Sequence, residues 1–363
     1  MADVGPDAEP ATGAAVAQAR RRSHRWVRSG ALLTVAVATA FLLVPALAGV
    51  PARLVEGCGK WIAAAGAFEL LSALGFVAIF KLVFASSIDW RRALPAALRA
   101  LGASTILPAG GLIGPTVGAW SAGPEKPSLS QLTRSTVTFV ILTNAPATIV
   151  LAALGTLLWL GVPSGPHQPA LTLLPALLAL AFLTGAWLTG RSVRNEPPRR
   201  RRILPHRLRR PAQVLGDGVT HARALVSAGD WKLVGAVGYY LLDNAVLWAA
   251  FHAFGRTPPI GVIAMGYLVG SLAGALPVPA GLGALDGGLF GALVLYGAPA
   301  APAAAAVLLY RGITLAVPVA LAAIGWTCRP AEQPRRVERR RRRFAGPALA
   351  KRRAAELASA GTD

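Results

Sequence analysis

Runs of about 20 apolar residues, separated by blocks of Arg and Lys, dominate this sequence. A helix of that length matches the hydrocarbon core of a bilayer. Hydrophobic residues make up 54% of the 363 residues, and charged residues only 15%. The sequence therefore predicts an all-α protein: a polytopic membrane helix bundle.

The net charge of +21 would suit a nucleic-acid-binding protein, but its distribution does not. Lys and Arg are concentrated between and beyond the apolar runs, as in the cytosolic segments of membrane proteins. Arg191–Arg210 holds nine Arg against one Glu, and Arg329–Arg353 holds eleven Lys or Arg. We therefore expect a multi-pass protein of the cell (plasma) membrane with both termini in the cytosol. Its basic segments should attract anionic lipids rather than nucleic acid.

The apolar pattern predicts six full spans and two broken apolar stretches. The spans are 30–50, 62–85, 135–160, 170–190, 231–254 and 302–326. The broken stretches are 94–120, which follows the basic segment 89–99, and 260–297. Loops rich in Lys and Arg are assigned to the cytosol, and loops without them are assigned to the outer face. The loops at the two ends of a span therefore set its direction across the membrane.

These features divide the chain into a membrane domain with a basic tail at each end. The predicted parts are a disordered N-terminal tail (1–28), the transmembrane domain (29–327) and a cytosolic C-terminal tail (328–363). The halves of the domain are about 30–190 and 212–327, with a basic cytosolic linker, 191–211, between them. After the linker, residues 212–230 have the spacing of an amphipathic helix.

Proline and glycine interrupt both broken stretches in a similar way. LPAGGLIG occupies 107–114, and LPVPAGLG occupies 276–283. Proline removes a backbone donor, and glycine permits turns and close approach. Matching breaks in two halves of opposite topology indicate re-entrant hairpins of an inverted repeat, with a transport site at the repeat interface. The alternative is that Pro and Gly are simply frequent in membrane helices.

Two charged residues stand out in the C-terminal half. Asp286 falls in the first turn of a helix predicted to begin near Ala284, where a carboxylate faces the positive end of the helix dipole. Arg311 interrupts the last span. Ionisable residues at membrane depth are costly and usually functional, with a partner to be named. We predict that these two residues are partners at the transport site; the alternative is a buried structural pair.

Other intramembrane polar residues complete the candidate site. Asp243 and Asn244 either coordinate a cation or proton or hydrogen-bond a neighbouring helix, and Glu69 presents the same choice. The candidate lipid or transport-site residues are Asp286, Arg311, Pro277, Pro279, Gly281, Gly283, Pro108, Gly110, Gly111, Glu69, Asp243 and Asn244.

The sequence carries no motif for metal, nucleotide or nucleophile chemistry. The five His are scattered, and no HExxH, GxSxG or P-loop occurs. Two Cys exclude a disulfide framework or a Cys-rich metal site. We expect no cofactor, no metal and no catalytic residue. An intramembrane lipid-modifying enzyme would need clustered His, Ser or paired acids at one depth, and the sequence shows no such cluster. That enzyme, and a scaffold with basic cytosolic tails, remain the alternatives to transport.

The C-terminal half resembles the transmembrane region of lysylphosphatidylglycerol synthases, a flippase-like membrane family. The resemblance lies in LPVPAGLGALDGG at 276–288, in Gly297, and in LLYRG with a later Pro within 308–318. The family's usual first motif has two glycines before Leu-Gly and then an acidic residue, commonly Glu. Here Ala280 replaces the first glycine and Asp286 replaces the Glu. The N-terminal half matches more loosely, through LPAGGLIGP.

The resemblance implies a stand-alone membrane protein that moves a phospholipid or related lipid between leaflets. Its partners would be membrane lipids, with anionic phospholipid expected. Some members of the family carry a soluble aminoacyl-transferase domain after the membrane region. About 35 residues follow the last predicted span here, fewer than a domain needs. We therefore expect no synthase chemistry and no enzymatic activity.

Overall fold

The computed structural model describes residues 58–107, 109–123, 127–162, 165–195, 206–255, 257–272 and 284–328. All regular structure in these ranges is helical, and none of it is strand. The predicted all-α class is confirmed. The predicted first span, 30–50, and the two tails lie outside the described residues.

We number the α-helices of the described residues α1 to α10 in chain order. They are α1 (Gly59–Phe84), α2 (Trp90–Ile106), α3 (Gly110–Ala122), α4 (Leu129–Trp159), α5 (Pro169–Asn195), α6 (His206–Ser227), α7 (Val234–Ala253), α8 (Ile260–Leu272), α9 (Ala284–Leu295) and α10 (Ala300–Thr327). A 3-10 turn, Trp231–Leu233, leads into α7.

Among the described residues, four helices are long and apolar enough to cross a membrane. They are α1, α4, α10, and α7 together with its 3-10 turn. They correspond to the predicted spans 62–85, 135–160, 302–326 and 231–254. The helix α5 covers the predicted span 170–190, but its apolar part, Pro169–Gly185, is shorter. The helix also continues to Asn195, so the predicted linker is helical at its start as well as at its end, where α6 begins.

Both broken stretches are pairs of short helices that pack on each other, α2 with α3 and α8 with α9. In the first pair, Ala109 adopts the left-handed conformation (φ 52°, ψ 36°) just before α3. Gly110 then lets α3 lie on α2, since a Cβ there would overlap the carbonyl oxygen of Ser104. In the second pair, a Cβ at Gly270 would lie 2.6 Å from Cα of Leu289. Glycine is required at both contacts because backbone faces backbone.

The helices α1 and α7 pack closely in antiparallel orientation. At one end, the Cys58 N–H donates to the Ala253 carbonyl over 2.9 Å. Further along, the Ser72 hydroxyl donates to the Tyr239 carbonyl over 3.1 Å. From the first contact to the second, the residue number rises along α1 and falls along α7. The helices are therefore antiparallel, and the two contacts fix their register.

Gly75→Ala is expected to destabilise the protein by roughly 1–3 kcal/mol, the usual range for overpacking. A Cβ at Gly75 would lie 2.6 Å from the Gly235 carbonyl oxygen, which the helix backbone cannot easily move. Gly66→Ala on the same helix is the matched control, because its Cβ would meet nothing within 4 Å. That change is expected to stabilise α1 by about 0.5 kcal/mol. Thermal unfolding in detergent measures both, and equal effects would show that the crossing tolerates a methyl group.

The predicted cytosolic end of α7 is marked by an ion pair. The Asp230 carboxylate accepts from the Lys232 backbone N–H over 3.0 Å and lies 2.8 Å from Lys232 Nζ. These bonds, the side-chain one above all, hold the pKa of Asp230 below its ordinary value. The carboxylate therefore stays charged at neutral pH.

The position of Arg99 in the basic segment 89–99 predicted a solvated side chain. In the structure, the side chain instead connects the first hairpin to α10. The side chain is 95% buried, since only 5% of the residue is exposed. Its Nε donates to the Gly325 carbonyl of α10 over 3.0 Å, and Nη1 donates to the Ser121 carbonyl of α3 over 3.4 Å. Its guanidinium lies 5.4 Å from the centre of the Trp326 ring. The arginine therefore satisfies carbonyls at two helix ends.

The helix predicted over 212–230 is present as α6. It packs on α4 and α5. Val219 is buried, and the Thr138 hydroxyl of α4 donates to the Gly218 carbonyl over 3.2 Å. Leu215, also on the predicted apolar face, is exposed. Only part of that face is therefore covered by protein.

Cys58 and Cys328 are free thiols and are exposed. Cys58 precedes α1, and Cys328 follows α10, whose 28 residues extend roughly 42 Å. In the predicted topology, Cys58 faces outside and Cys328 the cytosol. An impermeant thiol reagent applied to intact cells is expected to modify Cys58 and spare Cys328, with Cys58→Ser as the control. The opposite labelling would overturn the predicted orientation.

Candidate functional site

The predicted pairing of Arg311 with Asp286 is present in the structure. Arg311 Nε lies 3.3 Å from Asp286 Oδ1, and the side chains are 9% and 16% exposed. Asp286 is in the first turn of α9, as predicted, and Arg311 is near the middle of α10. Among the described residues, neither carboxylate oxygen of Asp286 accepts a hydrogen bond. The contact is therefore an ion pair without hydrogen-bond geometry, which leaves the carboxylate with acceptor capacity.

Asp243 of α7 accepts hydrogen bonds from two tyrosines on other helices. The Tyr267 hydroxyl of α8 donates to Asp243 Oδ2. The Tyr310 hydroxyl of α10 donates to the same oxygen over 3.0 Å. Of the two predicted roles for Asp243, hydrogen bonding to neighbouring helices is the one observed. Neither tyrosine was predicted as a site residue, although LLYRG places Tyr310 directly before Arg311.

Glu69 of α1 is buried opposite Asp243. Only 6% of the residue is exposed, and its Oε2 accepts no hydrogen bond from a described residue. The two carboxyl groups lie within electrostatic range of each other. Asn244, the next residue of α7, is partly buried, and its Nδ2 donates to no described residue. The expectation that no acids would be paired at one depth is therefore wrong, because the antiparallel packing of α1 and α7 pairs them.

These residues lie at one depth in the bundle. Glu69 is ten residues after Gly59, Asp243 is ten residues before Ala253, and Arg311 is eleven residues after Ala300. Each is thus about 15 Å from the predicted outer end of its helix, about half of a hydrocarbon core of ~30 Å. We define the central polar cluster by its titratable members: Glu69, Asp243, Tyr267, Asp286, Tyr310 and Arg311.

Two of the remaining predicted residues, Gly110 and Gly111, lie in the first hairpin and not in this cluster. Gly110 and Gly111 begin α3 in the first hairpin, where Gly110 packs on Ser104. Five others lie outside the described residues: Pro108, Pro277, Pro279, Gly281 and Gly283.

The chemistry of the cluster is that of hydrogen bonds, an ion pair and a pair of acids. In the part of the chain that the structure describes, no group of three or more His, Cys, Asp or Glu could hold a metal ion. Three carboxyl groups and one guanidinium can exchange a proton or bind a polar ligand such as a phosphate.

The family model for the lysylphosphatidylglycerol synthase TM region matches residues 31–322. The chain belongs to this family. The match includes both hairpins and the whole central polar cluster, and it confirms the resemblance first suggested by LPVPAGLGALDGG and LLYRG. Together with the apolar helices, it shows an integral membrane protein. No curated protein matches the chain.

Proposed function

We propose that this protein is a flippase-like transporter that moves a phospholipid between the two leaflets of the cell membrane. The observation that carries the proposal is the central polar cluster, which α1, α7, α8, α9 and α10 place at one depth in an apolar bundle. A lipid head group crossing the membrane loses its water, and it needs polar partners at that depth. The cluster offers those partners.

Arg311 is the residue proposed to receive the head group. Its planar guanidinium can donate to two oxygens of a phosphodiester at once. Asp286 lies 3.3 Å away and holds the guanidinium in position before a lipid arrives. The first turn of α9 adds the positive end of a helix dipole, which also favours an anion. A phosphate can therefore exchange with Asp286 for the guanidinium.

The packing of the hairpins supports an inverted repeat, which we include in the proposal. The helix α2 of the first hairpin packs on α10, and α8 of the second hairpin packs on α4. Each hairpin thus contacts the long helix that follows the other hairpin, and α1 and α7 pack antiparallel on each other. Such reciprocal packing suits alternating access, in which one half moves against the other around a central site.

A groove at the predicted cytosolic side supports an anionic head group. Arg92 of α2 and Arg134 of α4 both line it, together with Asp89, Ser87 and Gln131. The two guanidinium groups outnumber the single carboxylate of Asp89 in this groove and suit a phosphate better than an uncharged head group. We propose that anionic phospholipid enters the protein through this groove.

An intramembrane lipid-modifying enzyme is the second candidate. The pair of Glu69 and Asp243 favours it, since general acid–base catalysis uses two carboxyl groups in different environments. We favour transport without chemistry because the described side chains that hydrogen-bond to Asp243 are two phenols, Tyr267 and Tyr310, and not a Ser, Cys or His that could attack a lipid ester.

Reconstitution tests the proposal. Purified protein in phosphatidylcholine vesicles is expected to move tail-labelled fluorescent phosphatidylglycerol between leaflets, measured by quenching with external dithionite. Arg311→Ala should slow this movement roughly tenfold or more, the effect of losing about 1.4 kcal/mol. Lys60→Ala, an exposed residue at the start of α1, is the control and should keep the wild-type rate.

Mass spectrometry of the same vesicles separates the two candidates. Unchanged phosphatidylglycerol after translocation supports transport, whereas a new lipid product that depends on Glu69 would establish the enzyme. Vesicles in which the folded protein neither moves nor modifies lipid would contradict both.

A further inference from the structure

We propose that Glu69 and Asp243 form a proton-binding pair that couples proton movement to lipid transport. This inference rests on the proposed function and adds its energy source. It is carried by the packing of α1 on α7, which brings two acidic side chains from distant parts of the sequence to the same level of the membrane.

The register of α1 and α7 places the two acids opposite each other. Ser72 contacts Tyr239, and Gly75 contacts Gly235 one turn further along. Glu69 lies three residues before Ser72, and Asp243 lies four residues after Tyr239. Both steps are about one turn in the same direction, so the two side chains are neighbours.

The hydrogen-bond partners of the two acids differ, and this difference indicates which acid is charged and which is protonated. Asp243 Oδ2 accepts from two phenol hydroxyls, which stabilise its carboxylate. Glu69 Oε2 accepts from no described residue, although the side chain is buried. A buried carboxyl group with an oxygen that accepts no hydrogen bond favours its neutral form, and a second carboxylate beside it strengthens that preference. Asp243 is therefore the charged member of the pair and Glu69 the protonated one.

The charges of the cluster support the same assignment. With every carboxyl group of the cluster ionised and both tyrosines neutral, Glu69, Asp243 and Asp286 would place three negative charges against the single positive charge of Arg311. Such an excess at membrane depth is costly, and one carboxyl group relieves part of it by binding a proton.

The described groups within electrostatic range of Glu69 on the packed helices are acidic or phenolic. They are Asp243 and Tyr239 of α7 and Tyr310 of α10. Among the positive charges on the helices around α1, Arg311 of α10 belongs to the same cluster and pairs with Asp286. Arg99 of α2 is at the end of α10, Arg134 of α4 is beside His221, and Lys232 is near Lys81.

Arg311 links the proton to the lipid site. It contacts Asp286 and also lies within electrostatic range of Asp243. When Glu69 loses its proton, the negative charge beside Asp243 increases and draws the guanidinium away from Asp286 and from a bound phosphate. When Glu69 binds a proton, the guanidinium is free to return to the phosphate. Proton binding thus favours lipid binding, and proton release favours lipid release.

The coupling is tested in the phosphatidylcholine vesicles with fluorescent phosphatidylglycerol by imposing a pH difference across the membrane. We expect the translocation rate of the wild-type protein to change several-fold with the gradient. In Glu69→Gln the ratio of the rates with and without the gradient should fall to about one, because a neutral amide cannot exchange a proton. Asp217→Asn, at an exposed position of α6, is the matched control and should keep the wild-type ratio.

The outcomes separate this inference from the proposed function. Wild-type translocation that ignores the gradient would overturn the coupling and leave the transporter intact, whereas absence of translocation would overturn both. A second measurement does not need transport: infrared difference spectroscopy of the wild-type protein should show a protonated-carboxyl C=O band at neutral pH that is missing in Glu69→Gln. Absence of that band in the folded wild-type protein would also overturn the proposal.

Discussion

Arg311→Ala is expected to destabilise the protein more than Asp286→Ala, and the double substitution is expected to cost less than the sum. Removing one partner of a buried ion pair typically costs roughly 3–5 kcal/mol. Without Arg311, the three carboxyl groups of the central polar cluster face one another. Without Asp286, Arg311 still lies within electrostatic range of Asp243. Asp286→Ala is therefore expected to be the milder change, because Asp243 still partly compensates the charge of Arg311.

A double-mutant cycle on thermal unfolding in detergent measures the coupling between the two residues. Contacting charged residues typically show coupling of about 0.5–3 kcal/mol. The control cycle uses Lys60→Ala and Asp217→Ala, two exposed residues of opposite charge on α1 and α6, and should be additive. Additive effects for Asp286 and Arg311 as well would mean that the 3.3 Å contact contributes nothing to folding.

Hydropathy predicted the long helices because their length and composition are local properties. It placed the start of the first broken stretch at Leu94, whereas α2 begins at Trp90. The difference arises because Arg91 and Arg92 are exposed in the first turn, and a hydropathy pattern does not count charged residues as part of a helix. Arg99 was assigned to the basic segment for the same reason, since its carbonyl partner on α10 lies more than two hundred residues away.

The candidate site was predictable only where its signal is local. Asp286 stands out as a charge beside a Pro- and Gly-rich break, and Arg311 stands out as a charge inside an otherwise apolar span. The pairing of Glu69 with Asp243 depends on the register between α1 and α7, which the contact of Gly75 with Gly235 fixes. No periodicity in either helix reveals that register. Tyr267 was missed because a tyrosine in an apolar helix predicts burial, without indicating its partner.

Tyr267→Phe and Tyr310→Phe are each expected to destabilise the protein by roughly 2 kcal/mol, as for hydrogen bonds to a charged group. Both hydroxyls donate to Asp243 Oδ2, so either one partly stabilises the carboxylate when the other is removed. The double Phe substitution should therefore be more damaging than either single change. Thermal unfolding in detergent measures the losses, and Tyr240→Phe is the matched control. Tyr240 is a buried tyrosine whose ring is tilted against the Tyr267 ring at a centroid distance of 5.9 Å, and the described residues show no hydrogen bond from its hydroxyl to Asp243.

Asp243→Asn distinguishes a charged Asp243 from a neutral one. In the wild-type background it should destabilise the protein, because two hydroxyl donors lose a carboxylate acceptor. In the double Phe background it should be much less harmful or even stabilising, because it removes a buried charge whose donors are already absent. The same loss in both backgrounds would mean that the tyrosines do not stabilise a negative charge. In that case Asp243, and not Glu69, would be the member of the pair that holds the proton.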